Sequence, residues 1–231
     1  MIKRFRLIVL IAIALLVLPF AAGAQEAGSQ PKMRDVFAQM PDSVLPAVSK
    51  NNRLDCIDFI ENNLEAKVRN AFDDYVELEA LTADYARFRS SASSVMEMKL
   101  LPKNDTTSVL CVVTTAECGE VGTAQRLEDS NVSFLRPDWS PLAAHDVEPL
   151  VPSLIPLAFF LGERPESAAD DYEQALRALD DFRPIRVTLS AEAPVATLTL
   201  QTAQLSKEER TALGEGAHTL LLRWQGNKFI P

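Results

Sequence analysis

The stretch MPDSVLPAVSKNNRLDCIDF, residues 40–59, holds the densest set of chemically able side chains in the sequence. Asp55 and Asp58 stand three residues apart, about one helical turn, next to Arg53. Two carboxylates in one cleft can do acid–base work when their surroundings push their pKa values apart. A hydrolase built from this chain would draw on Asp55, Asp58, Arg53 and His145. His145-Asp146 offers a base and an orienting carboxylate, although neighbours in sequence point apart on most backbones. His218 is the other histidine, and two histidines on separate elements are a thin ligand set for a metal. No nucleophile or oxyanion donor accompanies residues 53–58. The motifs GxSxG, GxxxxGK[ST], HExxH and DxDxDG are all missing from the sequence. No catalytic, cofactor-binding or metal-binding residue is assigned on this basis.

The elements that must position these side chains follow from periodicity. A brief helix is expected over 33–39. Pro41 and Pro46 then fix a turn, because neither suits a helix interior. Asn52 reads as the N-cap of the next helix, with Asp55 three residues on. Leu54, Ile57, Ile60 and Leu64 recur at helical spacing and give it one buried face. Asp55, Asp58 and Glu61 lie where negative charge suits the helix dipole. From Val76 the period becomes two, which places Val76, Leu78 and Ala80 on one side. Residues 94–101 and 108–115 read as antiparallel strands across the polar turn PKNDTT, and 131–135 as a further strand. Pro137 and DWSPLAAHD break the pattern and mark a boundary between halves.

Residues 150–162 are apolar but carry Pro152 and Pro156, so they read as a buried connector or short helix. A helix opened by Ser167 and Asp170 follows, with Tyr172, Ala175, Leu176 and Leu179 as its stripe. PIRVTLS and VATLTLQT form a hairpin across AEAP. A short helix has Ser206 and Glu209 as a capping box and Gly214 as its stop. HTLLLRW is a last strand, and Gly226-Asn227 turns into KFI. The expected class is α+β, with helices packed on antiparallel sheets. Both halves run helix first and strands second, which leaves open two tandem helix-plus-sheet units over 33–142 and 143–231.

Lys3, Arg4 and Arg6, an apolar run from Leu7 to Phe20 and the small residues Ala22-Gly23-Ala24 form a signal peptide over 1–24, with a flexible leader over 25–32. That run of 14 is short of the ~20 residues a membrane helix needs, and no integral membrane segment is expected after cleavage. The signal holds three of the 23 basic residues and none of the 32 acidic ones, which leaves 20 against 32, a net charge of −12 over the remaining 207 residues. So acidic a surface repels phosphate backbones, and no nucleic-acid partner is expected. Cys56, Cys111 and Cys118 are an odd count without a CxxC. Two readings stand: buried thiols acting as small apolar residues, or a Cys111–Cys118 bridge closing a hairpin-sized loop in an oxidising compartment.

Met40 to Pro46 and Asn51 to Phe59 resemble a motif of a secreted Bacteroidetes family catalogued as domain of unknown function 3256, with Val44 and Cys56 as departures. MEMKLLP, DWSPL, LSKEER and RWQGNKF extend the resemblance over nearly the whole chain after the signal. It implies an exported envelope or secreted protein, and a packing role for Cys56. Asp42-Ser43-Val44 and Asp105-Thr106-Thr107 resemble the sites at which Bacteroidetes attach O-glycans to exported proteins, Thr106 being favoured over Ser43. The functional expectation is a non-catalytic periplasmic or secreted binding module with a protein partner in the cell envelope and no cofactor. The alternative is a hydrolase with an unrecognised acid–base site.

Overall fold

The computed structural model describes residues 30–119, 126–161, 169–214 and 218–231. The expected signal peptide, most of the leader and Ser167 lie outside these residues. Two helices, α1 (Met33–Ala38) and α2 (Lys50–Glu61), precede six strands: β1 (Lys67–Arg69), β2 (Tyr75–Leu81), β3 (Tyr85–Ser91), β4 (Ser94–Pro102), β5 (Ser108–Cys118) and β6 (Leu127–Leu135). These strands form one antiparallel sheet in sequence order. A strap with 3-10 turns at Pro152–Leu154 and Leu157–Phe159 leads to α3 (Ala169–Asp181), β7 (Ile185–Leu189), β8 (Val195–Leu200), α4 (Lys207–Leu213), β9 (Thr219–Trp224) and β10 (Phe229–Ile230). The second sheet has the order β10-β9-β8-β7. The molecule is α+β, as the periodicity predicts.

The alternation of side chains along a strand sorts the central sheet into two faces. Met96, Met98 and Leu100 of β4 pack with Phe37 and Ile57 of the N-terminal helices. Leu101 of β4 and Val109, Cys111 and Val113 of β5 pack with Val187 and Leu198 of the second sheet. The six-stranded sheet is therefore a middle layer, with α1 and α2 on one side and the second sheet on the other. The stripe Tyr172, Ala175 and Leu179 of α3 joins the latter core.

Three local expectations are corrected. The N-cap of α2 is Ser49, three residues before Asn52. The Ser49 hydroxyl accepts from Asn52 N at 3.2 Å, and Asn52 Oδ1 accepts from Ser49 N at 3.1 Å. Asn52 thus fills the reciprocal half of a capping box. In β2, a register shift between Leu78 and Ala80 breaks the shared face. Val76, Leu78 and Leu81 pack on the helix side, whereas Ala80 packs on the other core, as an extra residue in a strand requires. Cys111 and Cys118 are free and lie on the same strand, β5. Seven residues of strand span about 23 Å, far beyond disulfide reach.

Candidate functional site

Arg53 is built into the fold. It is 1% exposed. It donates to the carbonyls of Val48 at 2.7 Å and Met40 at 2.5 Å, and to Asp42 Oδ1 at 2.9 Å. The guanidinium staples both ends of the 40–48 turn to α2. Asp55 and Asp58 are exposed on α2, over the β1–β2 side of the central sheet. His145 is exposed near the β4–β5 turn, where its neighbour Asp146 pairs with Lys103 at 2.9 Å. That bond, with another from Ala143 N, holds the Asp146 carboxyl below its usual range. The residues named for hydrolysis are thus divided among a buried staple, an exposed helix and a distant loop. His218 is half-buried, its Nδ1 lying 3.2 Å from the carbonyl of Phe160.

Burial pushes the Cys56 thiol up to about 12, against a weaker opposing effect from a Leu78 backbone hydrogen bond, and burial pushes Cys111 higher still. Both behave as apolar packing residues. Cys118 is exposed. Ser43 and Thr106 are exposed as well, and the Thr106 hydroxyl donates to Asn104 Oδ1 at 3.1 Å. Among the described residues no cluster of three His, Cys, Asp or Glu side chains could hold a metal ion, and no helix is long and apolar enough to cross a membrane.

A polar seam runs between the sheets. β7 is the edge strand of the second sheet, and its N–H groups on the free side would be buried without partners. Ile185 N donates to Asp129 Oδ1 at 3.1 Å, Val187 N to Ser130 Oγ at 2.9 Å and Leu189 N to Glu97 Oε2 at 3.3 Å. Glu97 is 4% exposed and also accepts from Tyr85 Oη at 2.7 Å and Arg87 Nη1 at 2.9 Å. Burial, with Glu97 beside it, raises the Tyr85 phenol, so it stays a donor. Glu79 joins Arg87 at 2.5 Å and Arg89 at 2.7 Å. Burial opposes the ionisation of Glu79, but the two guanidiniums outweigh it and hold the carboxyl below its ordinary range. Lys99 meets Asp84 Oδ2 and the carbonyl of Ala191, each at 2.9 Å. Glu97, Glu79, Arg87, Arg89 and Lys99 each meet an opposite charge and the exposed Asp129 accepts from Ile185 N, so the seam serves registry between layers.

The open chemistry lies at the far end of the second sheet. A pocket of about 450 Å³ separates the 148–159 strap from β9 and β10, within the ~300–1,000 Å³ range of small-ligand sites. Leu220, Leu222 and Phe229 form its sheet wall, and Leu150, Ile155 and Phe159 face them from the strap. Arg183 Nη1 holds the strap through the carbonyl of Ile155 at 2.9 Å, and Glu148 N donates to the carbonyl of Asn227 at 2.9 Å. Glu148 and Lys228 are the charged residues of the lining, with Lys228 Nζ 3.7 Å from Glu148 Oε2. Leu154 is 77% exposed and Phe159 55%, so both stand proud as lips. The expectation of a buried connector or short helix over 150–162 is corrected here: the strap makes two 3-10 turns and leaves Val151, Leu154 and Phe159 exposed. Its paired prolines were the available signal, since they fix a backbone without regular structure.

Other residues of the recognised motifs also serve as locks. Trp139 Nε1 donates to the carbonyl of Val36 at 2.8 Å, and Trp224 Nε1 to that of Pro102 at 2.7 Å. Comparison with known proteins agrees with the resemblance of these motifs. No curated protein matches the chain. A domain of an uncharacterized protein from Porphyromonas gingivalis W83 shares the fold with a TM-score of 0.65 and 23% identity, over 87% of this chain and 98% of that one. Residues 24–229 match a family model described as Protein of unknown function (DUF3256), and the chain belongs to that family.

Proposed function

We propose that this protein is a non-catalytic, exported binding module that engages a protein partner in the cell envelope through the lips of the strap pocket. The observation that carries the reading is the exposure of Leu154 and Phe159 around an apolar hollow. Apolar side chains that stand in solvent beside an apolar hollow have surface that a partner can bury. An apolar centre with charged residues at its rim, here Glu148 and Lys228, is the anatomy of a protein contact. The hydrolase alternative has no gathered site to support it, because Arg53 is committed to the 40–48 turn and His145 lies away from Asp55 and Asp58.

The test is photo-crosslinking in the native host. A photoreactive side chain at position 154 or 159 is expected to trap one discrete protein, identified by mass spectrometry. The same group at position 55, on exposed α2, is expected to trap none. Equal labelling from all three positions, or none from 154 and 159, would overturn the reading.

A further inference from the structure

The protein contact uses the lips, but the hollow behind them exceeds what one amino-acid side chain fills. We propose that this pocket holds the hydrocarbon chain of a long-chain carboxylate, with its head group at Lys228. The inference shares the binding site proposed above and goes beyond it by naming a small-molecule ligand. Three observations lead there.

The first is the lining. Apart from Glu148 and Lys228 its side chains are apolar, and Pro149, Pro156 and Pro231 bring backbone nitrogens without hydrogens. The second is the strap backbone. The N–H groups of Leu154, Ile155 and Phe159 are spent on its own turns, donating to Val151, Pro152 and Pro156 carbonyls at 3.0, 3.1 and 3.1 Å. The carbonyl of Ile155 already accepts from Arg183. A polar group deep in the pocket would be desolvated without a partner, which favours plain hydrocarbon.

The third is the rim. Lys228 is half-exposed and stands 3.7 Å from Glu148, outside hydrogen-bond range, so its ammonium donors remain open to an incoming carboxylate. The complementary occupant is an anion at Lys228 with an aliphatic tail running between Leu222 and Ile155.

The experiment is displacement of 11-(dansylamino)undecanoic acid from the purified protein by straight-chain carboxylates of eight to fourteen carbons, each kept below its micelle concentration. Displacement is expected with one site per chain and about a fourfold gain in affinity per added methylene. Lys228→Met is expected to weaken carboxylate binding about tenfold and to leave the matching alcohol unchanged. Ile155→Trp, which fills the hollow, is expected to abolish binding. Leu154→Glu, at a solvent-facing lip, gives a second disruption that leaves the core intact, and thermal melts establish that each variant is folded. No saturable binding, no chain-length dependence, or equal binding by folded Ile155→Trp and Leu154→Glu would overturn the proposal. A crosslinked partner at 154 or 159 without carboxylate binding would sink this inference alone. Carboxylate binding without a crosslinked partner would sink only the protein contact.

Discussion

Glu97→Gln gives the sharpest test of the seam between the layers. Glu97 takes two donors on Oε1, Tyr85 Oη and Arg87 Nη1, and one on Oε2, Leu189 N. Glutamine has the same shape but carries one acceptor oxygen. If that oxygen stays with Tyr85 and Arg87, the new NH₂ faces the N–H of Leu189. A buried donor left unpaired costs roughly 1–3 kcal/mol. Replacing the carboxylate that faces the Arg87 guanidinium by a neutral amide oxygen loses the ion pair and removes about 1 kcal/mol more. Arg87 keeps Glu79 at 2.5 Å, so its charge is not stranded. The expected loss is therefore about 3 kcal/mol. With a urea slope of about 2–3 kcal/mol/M, the unfolding midpoint should fall by roughly 1–1.5 M at constant slope. Glu128→Gln is the comparison: Glu128 pairs with Arg186 at 2.9 Å on the more exposed side of the seam, where an ion pair contributes at most about 1 kcal/mol. If Glu97→Gln shifts the midpoint no more than Glu128→Gln does, the edge of β7 is held by apolar packing and the seam reasoning is wrong.

Arg53→Met should cost about 3–5 kcal/mol, because the carbonyls of Met40 and Val48 lose their donor inside the fold. Asp42→Asn keeps an acceptor for Arg53 but removes the counter-charge of a buried guanidinium, and should cost less than Arg53→Met, about 1–2 kcal/mol; urea titration of both variants compares them. Asn52→Ala should cost about 1 kcal/mol through the capping box, read as a lower melting temperature. A thiol reagent at pH 8 should label Cys118 alone in the folded protein and all three cysteines in denaturant, and rapid labelling of Cys56 or Cys111 under native conditions would contradict their burial. Intact mass of protein from its host is expected to show a chain starting at Gln25 with a glycan at Thr106 or Ser43, and a mass equal to the unmodified chain from Gln25 would exclude both glycans.

The sequence by itself determined much of the local structure, because the relevant signals are short in range. Alternation in VMEMKL sets β4, the short valine-rich apolar run of SVLCVVTT sets β5, and Ser206 with Glu209 caps α4, with both capping bonds present. Gly214 ends that helix at φ 93° and Gly226 turns β9 into β10 at φ 71°, where a side chain would be strained. β3 is different. Ala86 and Phe88 give it one short apolar face, but the other face carries Arg87 and Arg89, whose place in the seam depends on Glu79 and Glu97 arriving from neighbouring strands. The partners of Arg53 lie 5 to 13 residues away in an irregular turn, and its neighbours Asp55 and Asp58 give no sign of them. The pocket joins the strap to strands roughly 70 residues later, so no local period encodes it. Tertiary structure decided these features because burial of a charge, or the opening of a hollow, depends on which distant surface arrives against it, and that is a property of the packed layers rather than of any one segment.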